Sequence, residues 1–230
     1  MTPAPHAPPQ DWPKLPWLVA LVAGIALPAF AMVMQPNASA TRPLADLAAP
    51  IMAVALMGAG MIAAAATGRM GIGVAFALAA GTGLVLLALM LGLPSLQHGL
   101  FVAFAIGVAS LSFSARGALF ARSIGERGWW IAVAIIAGEG AILFTAMASP
   151  GALPSWLLAL LPAQWASSAM QTAMRGTASG VAIWELLALA GTAGATLIVA
   201  ALWPRRWPYL IMFSTWIILS MMVWQQPAFV

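Results

Sequence analysis

The chain contains no cysteine in 230 residues, which excludes disulfides, thiolate metal sites and cysteine nucleophiles. Charge is almost as scarce. Only 6% of the residues are charged, against about 25% in soluble domains, and so few charges cannot cover a water-exposed surface. The only lysine is Lys14, so no later apolar run can carry a retinal Schiff base. The two histidines are His6, in the proline-rich tail, and His98, in a short loop, so no facing pair exists to ligate a haem between helices. No G-x-x-x-x-G-K-[ST] occurs, so the chain cannot hold ATP in a P-loop. No serine has a histidine within reach for nucleophilic catalysis. These absences argue against an enzyme, a metal centre or a resident cofactor.

What is present is hydrophobic. The apolar share is 63% and the mean hydropathy +0.99, the composition of a polytopic membrane protein. The net charge of +4 comes from nine scattered lysines and arginines. No basic patch exists to neutralise several phosphates, so no nucleic-acid partner is expected.

The expected fold class is all-α, with about seven transmembrane helices. Six prolines fall in the first sixteen residues, so residues 1–14 read as a disordered tail. Apolar runs follow at 15–34, 47–66, 70–92, 99–115, 129–149, 179–203 and 207–224, each near the roughly 20 residues that cross a bilayer as a helix. Ala38 and Ala40 form an A-x-A pattern after the first run. That run is longer than a signal-peptide core and its flank is not basic, so it is expected to be retained. With the N-terminus cytoplasmic, Lys14, Arg69, Arg116, Arg122, Arg127, Arg205 and Arg206 share the inner side, and only Arg42 and Arg175 lie outside. Most tryptophans stand near run ends, as interfacial anchors do; Trp216, in mid-run, is the exception. The segment 153–176 is broken by Pro162 and turns polar at Gln164, Ser167, Ser168 and Gln171. It reads as short helices lying in, or dipping into, the outer interface.

Candidate functional residues are few. Glu139 stands between Gly138 and Gly140 in the middle of an apolar run. No basic residue lies inside any of the runs, so a protonated, hydrogen-bonded acid is expected, with its glycines admitting a neighbouring backbone. Glu185, beside Trp184, is expected at the outer interface. Glu139, Glu185 and Thr145 are the candidate buried polar or path-lining residues. In the loop 117–128, Arg122 and Glu126 would pair at i,i+4 in a helix. Arg116, Arg122, Glu126 and Arg127 are the candidate contacts for a cytoplasmic partner. The glycine pairs at 58/60, 71/73, 81/83 and 191/194 are expected at tight helix crossings.

LPSWLLALLPAQW (153–165), AMRG (173–176), WELLAL (184–189), WPRR (203–206) and LGLP (91–94) together resemble the permease subunits of ABC-2-type exporters, over roughly residues 80–206. The resemblance implies short outer re-entrant helices that gate exit, and a separate ATPase subunit. The chain differs from that pattern in having only TGRMGIG (67–73) where a cytoplasmic coupling helix would stand, and in its extra run at 207–224. Three functions stay open: a permease-like transport subunit, an accessory or assembly subunit of a larger membrane complex, and a proton-coupled secondary transporter using Glu139. The expected setting is the bacterial inner membrane, among lipid, as a homodimer or hetero-complex.

Overall fold

The computed structural model describes residues 14–34, 44–93, 98–176 and 180–225, and every regular element among them is helical. The proline-rich stretch 1–13, the Ala38/Ala40 pattern and Arg42 lie outside the described residues. Five stretches are long and apolar enough to cross a membrane: Lys14–Val33, Leu44–Thr67, Met70–Met90, Gly99–Ala148 and Ala182–Ala201. A shorter apolar helix, Pro208–Trp224, follows. This is the make-up of a multi-pass membrane protein.

The first stretch is α1 (Lys14–Leu21) and α2 (Leu27–Val33), joined by a wider π turn at Val22–Ala26. Pro28 has no N–H to return to the carbonyl four residues back, and the helix widens just before it. This turn crosses α3 (Leu44–Thr67) closely: a Cβ added at Gly24 would lie 2.6 Å from that of Ala59. Helix α3 is the centre of the molecule. It is 89% buried over its most apolar window and packs against α1, α4 (Met70–Met90), α5 (Gly99–Ile124), α6 (Gly128–Ala148) and α8 (Pro162–Arg175). Its many alanines and glycines let these neighbours approach from every side.

The stretch Gly99–Ala148 is not one rod. Gly125, at φ 65°, ends α5, and a single 3-10 turn at Gly125–Arg127 starts α6. The two helices pack against each other, with Gly128 set against the Phe120 carbonyl where a side chain would not fit. The fourth apolar run ends at Ala115 in the sequence, yet α5 continues to Ile124. The continuation is physical: Ala115, Ala118 and Leu119 stay buried at helical spacing, and Arg116 and Arg122 each donate to a partner on α9 (Gly180–Ala201). The expected cytoplasmic loop 117–128 is therefore mostly helix.

The broken segment becomes α7 (Ser155–Ala159) and α8, with Pro162 at the first position of α8. The N-terminus of α8 meets Glu139, nine residues before the end of α6, a depth of roughly 13 Å at 1.5 Å per residue. Its C-terminus returns to the start of α3, where Arg175 Nε donates to Asp46 Oδ1 at 2.7 Å. The segment thus dips between the long helices rather than lying flat. Helix α10 (Pro208–Trp224) runs beside α9 and holds α7 from outside.

Candidate functional site

A re-entrant break leaves backbone groups that lipid cannot satisfy. Here three side chains take them. Trp165 Nε1 donates to the Ala159 carbonyl at 2.8 Å, and Trp216 Nε1 donates to the Leu160 carbonyl at 3.1 Å. Glu139 Oε2 accepts from the Ala163 N–H at 3.1 Å, at the second position of α8, where a carboxylate also meets the positive end of the helix dipole. Trp216, the tryptophan that does not stand at a run end, is therefore a backbone donor to the hairpin.

Beneath this junction lies a cavity of about 480 Å³. Its floor and walls come from Met61 of α3, Arg116, Leu119 and Phe120 of α5, Ile135 and Glu139 of α6, Leu157, Leu160, Leu161 and Pro162, Thr192 and Thr196 of α9, and Met212, Phe213 and Trp216 of α10. Most of the lining is apolar. The charged members are Arg116 and Glu139, which face each other across it. Arg116 is eight residues before the end of α5, and Glu139 is eleven residues after the start of α6, so the turn at Gly125 brings them to similar depth. They form no direct ion pair: among the described residues the salt bridge found is Arg175–Asp46. Arg116 instead donates to Thr192 Oγ1 at 3.3 Å and lies 5.8 Å from the Phe113 ring centroid. The Thr192 and Thr196 hydroxyls donate hydrogen bonds to the Leu189 and Thr192 carbonyls, at 3.0 and 2.7 Å.

Several expectations change here. Glu139 is not a lone acid, because Arg116 lies inside the helix facing it and is no contact for a cytoplasmic partner. Of its two glycines, Gly140 packs towards Val54, 3.6 Å from where a Cβ would stand, while Gly138 has open space. Glu185 is packed inside the protein: it is 0% exposed, with neither oxygen hydrogen-bonded among the described residues. Thr145 does not line the cavity. It is exposed and bonds back to the Ala141 carbonyl at 2.8 Å. Arg122 does not pair with Glu126, because α5 ends between them; it donates to the Ala200 carbonyl and so caps the C-terminus of α9. Glu126 and Arg127 are exposed on the turn.

Sequence reasoning named Arg116 and Trp216 without placing either at a cavity, and it did not single out Thr192 or Thr196. The signal for Arg116 was its position after SLSFSA, where a helical run continues into GALFA. No protein family, curated protein or solved structure matches the chain.

Proposed function

We propose that the chain is a permease-like membrane transport protein whose substrate occupies the cavity between Arg116 and Glu139, beneath the re-entrant α7–α8 segment. The observation that carries this is the pair itself. Two opposite charges stand mid-helix in an apolar cavity without touching. Desolvating both without direct contact is costly, and a purely structural subunit would be more stable with apolar side chains there. The gap suits a small or amphipathic substrate with a polar group between the charges and an apolar part against Leu119, Phe120 and Phe213. Discontinuous helices whose N-termini end at mid-depth are a recurring way to build such sites.

In this reading the chain has seven spans: the α1–α2 stretch, α3, α4, α5, α6, α9 and α10. The N-terminus is cytoplasmic in a bacterial inner membrane. Lys14, Arg69, Arg127, Arg205 and Arg206 then share the inner side. A separate ATPase would dock on the turn carrying Glu126 and Arg127 and on Arg205 and Arg206, since only Gly68 and Arg69 stand between α3 and α4.

The test is purification of the tagged protein from its host in mild detergent, with mass spectrometry of co-purifying chains, followed by reconstitution. A stoichiometric ATPase supports the exporter form. Recovery alone, with transport lost in Arg116→Ala, supports a self-sufficient transporter. A set of redox or other complex subunits, with no transport in any form, overturns the reading in favour of an accessory subunit.

A further inference from the structure

Glu185 is the second acid buried among the helices, and no described residue forms an ion pair with it. It is 0% exposed, and both carboxylate oxygens lack a hydrogen-bond partner. Ser112 Oγ on α5 is likewise fully buried and unpartnered. Helices α5 and α9 run in the same direction, because Arg116 reaches Thr192 and Arg122 reaches Ala200. Glu185 is seven residues before Thr192, and Ser112 is four before Arg116, so each shares a face with the residue that bridges the two helices. Ser112 is on the side of α5 away from Ser114, whose hydroxyl packs against Gly60 and Gly73. From α8, the Ser168 hydroxyl is directed at the carboxyl without reaching hydrogen-bond geometry.

The charges nearby do not balance this acid. On the helices packed against α9, Arg116 is engaged at Thr192, Arg122 at Ala200 and Arg175 with Asp46, while Tyr209 bonds Ser123 at the far end. A buried carboxylate without a counter-charge must carry a bound cation or a proton.

We infer that Glu185, with Ser112 and Ser168, forms an exchangeable monovalent-cation site between α5, α8 and α9, taking a proton or a sodium ion. A divalent ion would need more carboxylates, and no group of three His, Cys, Asp or Glu residues occurs among the described residues. The site is a binding property and stands whether or not the chain transports.

Infrared difference spectroscopy of the full chain in lipid nanodiscs tests it, stepping pH at fixed sodium and then sodium against potassium at fixed pH. The expected result is a protonated-carboxyl signal that falls as pH rises, is absent from E185Q and persists in E139Q. Loss of that signal on adding sodium but not potassium identifies sodium as a competing occupant; indifference to sodium identifies the proton alone. S168A, which keeps the carboxyl and removes the hydroxyl directed at it, is expected to shift the midpoint of that signal. An E185Q-sensitive signal that responds to neither pH nor sodium overturns the inference, as does identity of wild type and E185Q. Should E185Q fail to fold, unshifted titrations in both S168A and S112A overturn it equally.

Discussion

Glu139 meets two demands at once: it receives the Ala163 N–H, and it offers a negative charge to the cavity opposite Arg116. Two substitutions separate these. Gln keeps an acceptor for Ala163 and removes the charge. Leu removes both and leaves a buried N–H unpaired, which costs about 1–3 kcal/mol. Glu139→Leu is therefore expected to lower the thermal midpoint in detergent by several degrees, with Glu139→Gln close to wild type. Transport that survives Glu139→Gln would assign the carboxyl to the hairpin alone. The partner behaves differently. Arg116→Met leaves Glu139 without a counter-charge in an apolar cavity, and the double variant Arg116→Met/Glu139→Gln removes both ionisable groups. The double variant is expected to be more stable than the sum of the single effects, by about 0.5–3 kcal/mol in a double-mutant cycle. Strict additivity would mean that the two do not sense each other.

At the scale of elements, the re-entrant segment is held by donors from outside itself. Trp216→Phe keeps the ring and removes the N–H that serves the Leu160 carbonyl. An unsatisfied carbonyl at this depth is expected to cost about 1–3 kcal/mol and to loosen α7 first, read as faster hydrogen exchange confined to residues 155–161. Helix crossings make a second prediction. Three of the four glycine pairs divide by face, while Gly58 and Gly60 are both packed. Gly73 and Gly81 are packed, with added Cβ atoms 2.7 Å from the Ala64 Cβ and 2.8 Å from Leu56 Cδ2, while Gly71, Gly83 and Gly194 have open space. Gly117, which belongs to none of these pairs, sits against the Met61 carbonyl. Gly117→Val is expected to abolish folding or expression, and Gly83→Ala to be neutral or slightly stabilising, since alanine is the better helix former. Comparable losses in both would contradict the packing of α5 on α3.

For the whole molecule, the missing cysteines become useful, because any single introduced cysteine is a unique probe. Under the proposed orientation, Glu126→Cys and Arg205→Cys are expected to react with an impermeant maleimide only from the cytoplasmic side, and Ala152→Cys only from outside. One position labelled from the wrong side would rule out seven spans with an inner N-terminus. Asp46 and Arg175, 129 positions apart in sequence, tie α8 back to α3 at the end that the proposed orientation places outside. Being partly exposed, that pair contributes little to stability, about 0–1 kcal/mol.

The helical, membrane-spanning character of this protein was determined by sequence alone, because hydropathy is a local sum and every long run must close its own backbone hydrogen bonds in lipid. The break at Pro162 was legible as well, since a proline without an N–H suits the first turn of a helix and polar residues follow it, although Pro50 is accommodated inside α3. Which side chains meet was not legible. Arg116 finds Thr192 across 76 positions, and Ala163 finds Glu139 across 24, and such partners follow from how helices pack side by side. Hydropathy marked Arg116 as the end of a span and Glu185 as a residue of the membrane surface. Tertiary packing placed the first in a cavity and the second in the dry interior, because a helix end is set by the partners its polar groups find as well as by the apolar run that precedes it.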